Sequence, residues 1–173
     1  TLLTDDIQDT RHFYKNMLGI ELMSENKTRL SFRAGTTKLN FAASDYPEPF
    51  YHFAFNIPHN KFEEAYNIID KTVGVIPSAE DGSKRFDFTS WNAQSFYFYD
   101  NNRNILEFIA RFDLPNSINT PFKNTDIQCI SEIGISVDDV FQEGEKINQK
   151  YNLEYYSKQK PLEDFAAIGN DNG

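Results

Sequence analysis

The stretch from Ser95 to Arg111, SFYFYDNNRNILEFIAR, brings a potential metal ligand into a predictable local structure. Its residue types predict an aromatic strand over Ser95–Tyr99, a polar turn over Asp100–Asn104 and an apolar strand over Ile105–Ile109. Strand alternation places Glu107 on one face of the second strand, between two isoleucines. A carboxylate among apolar strand residues costs free energy to bury unless a partner compensates its charge.

Three environments for Glu107 stay open from this stretch alone. A metal ion, a salt bridge to an arginine or lysine, and a solvent-facing edge position would each satisfy the carboxylate. His52 lies in another predicted strand, 51–57, where it is either a metal ligand or a half-buried histidine held by hydrogen bonds. At Glu132, in a third predicted strand, we expect a salt bridge or a solvated strand end rather than a ligand.

Composition excludes several classes of function. The 173 residues are 39% hydrophobic and 15% aromatic, which is enough for one domain with a good core or for two small units. The net charge is −9, and the lysines and arginines are scattered along the chain without forming a basic stripe, so we expect no nucleic-acid partner. There is no run of about 18 apolar residues and no signal-peptide pattern, so no membrane association is expected. The single Cys129 permits no internal disulfide and is typical of a cytoplasmic protein.

The order strand, helix, strand, strand, strand occurs twice along the chain, and such repetition is a strong fold signal. The first unit spans residues 1–44 and the second spans 51–112. Periodicity and turn residues predict in the first unit the segments Thr1–Thr4, Ile7–Leu18 (helix), Glu21–Ser24, Arg29–Arg33 and Lys38–Ala43. In the second they predict 51–57, Lys61–Lys71 (helix), Arg85–Thr89, Ser95–Tyr99 and Ile105–Arg111.

A third unit begins after a linker at 113–126 and covers 127–173 in partial form. We predict a strand at Ser131–Val137, a helix at Val140–Lys150 and further strands at 152–156 and Phe165–Ile168. When the unit starts are superposed, Glu132 takes the position of His52. The corresponding position of the first unit falls two residues before Thr1, outside the sequence.

Three motifs give the chain a family resemblance. TDDI at 4–7 followed by FYKNMLG at 13–19 resembles the opening signature of the vicinal oxygen chelate superfamily, which includes glyoxalase I, bleomycin-resistance proteins and extradiol dioxygenases. YHFAF at 51–55 resembles the histidine strand that opens its second module, and YFYDNNRNILE at 97–107 resembles its closing motif YxxDPxGNxxE. The usual Pro and Gly of that closing turn are Asn101 and Arg103 here.

The resemblance implies an α+β fold in which paired βαβββ modules form a cup-shaped sheet, with a third partial module. The modules in residues 1–112 would then form the metal cup, with His52 and Glu107 as ligands of a divalent iron, manganese, nickel or zinc ion. The position two residues before Thr1 would supply another ligand. Asn40 takes the place of a fourth ligand used by glyoxalase-like members, and Tyr97 matches a tyrosine near the substrate in ring-cleaving dioxygenases.

The function that follows from the resemblance is a metal-dependent enzyme acting on a small oxygen-bearing molecule. Tyr97 and Asn40 favour extradiol-dioxygenase-like chemistry over glyoxalase-like chemistry. The alternative is a non-catalytic protein that binds a drug or metabolite, as bleomycin-resistance members do. Edge strands of an incomplete third module would invite pairing, so a homodimer is the expected assembly.

Overall fold

The computed structural model describes residues 1–46 and 48–171 as a mixed α+β protein with a four-stranded and a five-stranded sheet. The predicted α+β class and the repeated βαβββ modules are confirmed. Among the described residues, no helix combines the length and the apolar composition needed to cross a membrane.

The first module forms the four-stranded sheet, in the order β1-β4-β3-β2. Its strands are β1 (Leu2–Thr4), β2 (Glu21–Glu25), β3 (Arg29–Ala34) and β4 (Thr37–Ala43), with β1 parallel to β4 and the other pairs antiparallel. Helix α1 (Ile7–Arg11) begins after Asp6, whose carboxylate accepts two backbone N–H groups of the first turn. The predicted helix then continues as a π-helical segment over His12–Met17.

The second module repeats this topology with a longer helix. Its elements are β5 (His52–Ile57), α2 (Phe62–Thr72), β6 (Phe86–Phe88), β7 (Ala93–Tyr99) and β8 (Ile105–Arg111). The strand order is β6-β7-β8-β5, and β5 runs parallel to β8 as β1 does to β4. An apolar side of α2 is buried because its hydrophobic residues recur at helical spacing.

The third unit adds its opening strand to the sheet of the second module. β9 (Cys129–Ile133) pairs antiparallel with β5 and becomes the fifth strand, in place of the longer strand predicted over Ser131–Val137. Helix α3 (Val140–Tyr151) follows and is capped by the carboxylate of Asp139.

The two further strands predicted in this unit, at 152–156 and Phe165–Ile168, are wrong. A single bridge between Tyr155 and Ile168 is what the structure has there. Backbone turns from Gln159 N–H to the Tyr156 carbonyl and from Leu162 N–H to the Phe165 carbonyl end the pairing after that bridge. A backbone N–H group that is hydrogen-bonded within a turn cannot also pair with a neighbouring strand, so the two strands do not extend beyond the bridge.

The first two modules pack into one hydrophobic core. Tyr14 from the first module is fully buried and its hydroxyl donates to Asp100 of the second module at 2.7 Å. The linker joins the same core through Phe122, whose backbone N–H donates to Glu64 of α2 at 2.7 Å. The sheet of the second module is thus supported on one face by this core, and part of its other face is covered by a smaller buried cluster that contains Ala54, Trp91 and Tyr156.

Candidate functional site

Strand register places three ionisable side chains in one row across the five-stranded sheet. Glu107 on β8 lies opposite Tyr97 on β7 and opposite Ala54 on β5, and Ala54 lies opposite Glu132 on β9. Residues opposite one another in neighbouring strands project from the same face of a sheet. Tyr97, Glu107 and Glu132 therefore share a face, and only the small side chain of Ala54 separates the two glutamates.

His52 lies on the same face, two residues before Ala54, and its ring reaches Glu107. Nε2 of His52 is 3.5 Å from Oε2 of Glu107, and Nδ1 is 3.1 Å from the carbonyl oxygen of Ile105. A carbonyl oxygen only accepts hydrogen bonds, so Nδ1 carries the proton in that contact. In the neutral ring the lone pair then belongs to Nε2, the nitrogen directed at Glu107, whereas in the protonated ring Nε2 donates to that carboxylate.

Burial and charge act in opposite directions on His52. Burial lowers the pKa of His52, but the hydrogen bond and the negative charge of Glu107 outweigh it, so the pKa is raised. The side chain of His52 is 32% exposed, whereas that of Glu107 is 4% exposed. Glu107 is therefore almost closed to solvent, while the histidine ring beside it is partly open.

Arg111 is the buried cation beside this row. It follows Glu107 by four residues on β8, is 3% exposed, and donates from Nε to Oδ1 of Asn56 at 3.2 Å. Its Nη2 donates to the carboxylate of Glu132. Burial raises the pKa of Glu132, repulsion from Glu107 raises it further, and Arg111 offsets part of both effects, which leaves it at about 7. A salt bridge and a solvated strand end were the two environments predicted for Glu132, and the structure has the salt bridge.

Tyr97 faces the histidine from the strand on the other side of Glu107. Its ring centroid lies 6.0 Å from that of His52 and 4.9 Å from that of Phe86. Burial raises the pKa of Tyr97 above its usual range, and the charge of Glu107 adds to the effect. The phenol stays protonated, so it can donate a hydrogen bond to an oxygen placed above Glu107.

Asn40 lies in the other sheet. It lines a polar depression on the first module together with residues such as Ser31 and Lys38. The sequence resemblance gave this position to a fourth metal ligand, and in the structure Asn40 is surrounded by polar residues of its own module.

The structure thus brings His52, Glu107 and Tyr97 together, while their roles as ligands and catalytic residue stay predictions. Within residues 1–46 and 48–171, no three His, Cys, Asp or Glu side chains form a group that could hold a metal ion. Arg111 is the residue that sequence reasoning missed. Its signal was present, since an arginine four residues after Glu107 in a strand must share the face of that glutamate.

Comparison with known proteins gives matches in structure rather than in sequence. No protein-family model matches the chain, and no curated protein matches its sequence. A lactoylglutathione lyase from Agrobacterium tumefaciens is similar in structure at 18% identity, covering 62% of this chain and 87% of that one, with a TM-score of 0.50. The fosfomycin resistance protein FosX from Listeria monocytogenes gives 21% identity, 64% and 86% coverage, and a TM-score of 0.51.

A third similar structure is a glyoxalase/bleomycin resistance protein/dioxygenase from Nocardioides, at 18% identity, 65% and 80% coverage, and a TM-score of 0.50. Identities this low show a common fold and leave the chemistry open. The repeated βαβββ modules and these structural matches together show that the chain has the fold of the vicinal oxygen chelate superfamily.

Proposed function

We propose that the protein is a divalent-metal-dependent enzyme acting on a small oxygen-bearing molecule. The observation that carries the proposal is the convergence of the Nε2 lone pair of His52 with the buried carboxylate of Glu107. A histidine whose other nitrogen donates to a fixed carbonyl is oriented as metal-binding histidines are. The side chain of Glu107 is 4% exposed, so its negative charge is compensated little by water and requires a positive partner.

The donor set of the pair fits a divalent transition metal. One imidazole nitrogen and one carboxylate oxygen suit iron, manganese, nickel or zinc alike. A metal held by His52 and Glu107 would keep open positions for the two neighbouring oxygens of a substrate, which it would polarise as a Lewis acid. Glu132 is the further carboxylate on this face, and its ion pair with Arg111 supports the site from the adjacent strand.

The side chains around the pair suit oxygen-bearing substrates. The protonated phenol of Tyr97 would donate to a substrate oxygen and so orient it over Glu107. The side chain of Arg111 is directed toward Glu132 and Asn56, which balances the negative charge of the face without placing a cation at the mouth. Among the reactions of this fold, we favour extradiol-dioxygenase-like chemistry, since Tyr97 offers a phenol beside the pair and Asn40 has an amide where glyoxalase-like members have a fourth ligand.

Metal content measured by elemental mass spectrometry tests the proposal. We expect close to one divalent ion per chain in the protein after anaerobic reconstitution. His52→Ala and Glu107→Gln should each lose it, because each removes one of the two donors while Glu107→Gln keeps the shape of the side chain. Glu63→Gln is the matched control, since Glu63 is an exposed glutamate paired with Arg85 on the surface.

Absence of metal from the reconstituted protein, or its retention in both donor variants, would overturn the proposal. A second function, ligand binding without chemistry, is favoured by the apolar hollow that opens beside His52. Small-molecule binding that survives both His52→Ala and complete removal of metal would support this second function.

A further inference from the structure

A further carboxylate lies within reach of the proposed metal site. Glu132 shares the sheet face of Glu107 and is separated from it by Ala54, which places the two backbones two strand spacings, or about 10 Å, apart. The chain just after Glu132 also passes beside His52. Gly134 N–H donates to the His52 carbonyl at 2.8 Å, and a Cβ on Gly134 would lie 3.2 Å from the histidine ring. Strand register alone therefore does not keep Glu132 out of the site.

Arg111 determines the direction of this carboxylate. Its Nη2 donates to Glu132, which is thereby turned toward the guanidinium. Across the described part of the chain, 1–46 and 48–171, His, Cys, Asp and Glu side chains do not come together in threes as a metal site requires. We infer that Arg111 is a positioning residue, which withholds Glu132 from the metal ion and keeps a coordination position open for substrate. The inference rests on the proposed function.

The guanidinium of Arg111 is itself fixed by other groups. Its Nε donates at 3.2 Å to Oδ1 of Asn56, a side chain that is buried in the same sheet. The ring of Trp91 lies against it, with the ring centroid 5.5 Å from Cζ of Arg111. A planar guanidinium is held well by such a combination of hydrogen bond and aromatic face. Arg111 therefore cannot follow Glu132 toward the metal without losing these contacts.

Burial makes the Arg111–Glu132 pair costly to separate. Arg111 is almost closed to solvent, and its Nη1 has no hydrogen-bond partner among the described residues. Separating one member of a buried ion pair from the other leaves an uncompensated charge, which is strongly destabilising. An ion that recruited Glu132 would have to offset this cost. We therefore expect the pair to persist when His52 and Glu107 hold a metal.

The pair also sets the net charge of the site. The charges of Arg111 and Glu132 cancel, so a divalent ion held by a neutral His52 and an ionised Glu107 keeps a net positive charge. If Glu132 also bound the ion, that charge would be neutralised and a coordination position would be filled. Withholding the carboxylate therefore keeps the ion able to accept a negatively charged oxygen from solution.

Binding of Mn²⁺ alone tests the inference, with affinity measured from the electron paramagnetic resonance signal of the free ion. Water-proton relaxation counts the water molecules on the bound ion. Arg111→Met should bind Mn²⁺ at least about tenfold more tightly, and the bound ion should lose a water molecule as Glu132 replaces it. Arg85→Met is the matched control: it breaks a surface ion pair with Glu63 and should change the affinity by less than about twofold.

A double variant separates the loss of a cation from the gain of a ligand. Arg111→Met/Glu132→Gln removes both buried charges, a replacement that proteins tolerate better than the loss of one partner. We expect its Mn²⁺ affinity to stay within about threefold of that of the unaltered protein, with the same number of bound water molecules. Circular dichroism verifies that each variant is folded.

Two results would overturn the inference in a protein that binds metal normally. One is a fall of about 100-fold or more in the Mn²⁺ affinity of the double variant, which would make Glu132 a ligand in the unaltered protein. The other is an unchanged water count in Arg111→Met. Binding of Mn²⁺ by Arg111→Met but not by the unaltered protein would keep this role of Arg111 and overturn the proposed function. Absence of binding in both would overturn both.

Discussion

The two complete modules have the same topology and different side chains at equivalent positions. In the first, the parallel pairing of β1 with β4 sets Leu2 opposite Phe41; in the second, that of β5 with β8 sets Phe55 opposite Phe108. Phe41 and Phe108 are therefore equivalent, and the residues that precede them are Asn40 and Glu107. The module thus places an amide in one sheet where it places a carboxylate in the other.

The neighbouring positions differ in the same way. Ser31 lies opposite Asn40, as Tyr97 lies opposite Glu107. The surface around Asn40 is a polar depression, whereas in the second module an apolar pocket opens beside His52 and Tyr97, the neighbours of Glu107. The comparison shows that the βαβββ module fixes where side chains point, and that the residue types at these positions set the chemistry of each sheet face.

The two modules also secure their last turns by different means. The turn between β3 and β4 of the first module needs Gly35, which has φ +58° and packs against the backbone of Gln128. The corresponding turn of the second module, between β7 and β8, is held by the buried carboxylate of Asp100. Steric fit therefore secures one turn and hydrogen bonding secures the other, which gives two predictions.

The largest expected effect is that of Gly35→Ala. A Cβ at this position would lie 1.9 Å from the carbonyl oxygen of Gln128, so the chain after the linker would have to separate from the first sheet. We expect a loss of about 4 kcal/mol in the free energy of unfolding, measured with urea. Gly82→Ala is the control: Gly82 has φ +73° with no atom within 4 Å of its would-be Cβ, so it should lose only about 1 kcal/mol. Equal losses in the two variants would contradict the steric explanation.

Asp100→Ala should have the next largest effect. The carboxylate accepts hydrogen bonds from the backbone N–H groups of Asn102 and Asn104, from the side-chain amide of Asn104 and from the hydroxyl of Tyr14, at 2.7–2.9 Å. Removing it leaves buried donors without an acceptor, and we expect a loss of about 3 kcal/mol in urea unfolding. Asp81→Ala removes an exposed turn aspartate with one backbone contact, to Ser83, and should cost less than about 1 kcal/mol. A similar cost in both variants would show that burial is not what makes Asp100 important.

The parts of this molecule that sequence predicted well are those set by local patterns. Alternation placed Glu107 on one face of β8, and repetition of the module predicted β5 and its histidine, because both signals lie within short stretches. The pairing of β9 with β5 needs contacts across about 80 residues, so no local pattern revealed that Arg111 would meet Glu132.

Two local details were also beyond reach of periodicity. The π-helical segment at His12–Met17 has nearly the same apolar spacing as an α-helix over so few residues. In the third unit, β-prone residues at 152–156 predicted a strand, but strand formation depends on a partner, and these residues pair with theirs only at the Tyr155–Ile168 bridge. Strand predictions from local propensity were correct where the segment pairs with a neighbouring strand and wrong where it does not.

Exchange of the equivalent residues tests the comparison at the site. Glu107→Asn gives the second module the residue of the first, and a shorter neutral amide can neither reach nor balance a divalent ion as the carboxylate does. We expect metal affinity to fall by at least about 100-fold, or about 2.8 kcal/mol, in a titration monitored by competition with a chelator. Glu63→Asn on α2 is the control because Glu63 is an exposed glutamate that pairs with Arg85 on the surface. Unchanged metal affinity in Glu107→Asn would remove Glu107 from the proposed ligand set.

The reverse exchange, Asn40→Glu, should have the smallest effect of all. The depression around Asn40 contains Arg29 and Lys38, so a new carboxylate there finds cations and solvent instead of a buried apolar surface. We expect the free energy of unfolding to change by less than about 0.5 kcal/mol and the metal content to stay that of the unaltered protein. A second bound ion per chain in Asn40→Glu would contradict this, because it would mean that the module's geometry alone suffices for a metal site. An unchanged metal content would instead mean that a carboxylate at this position of the module is not sufficient. The second module also supplies His52 beside its carboxylate, and the variant first module has no such histidine next to residue 40.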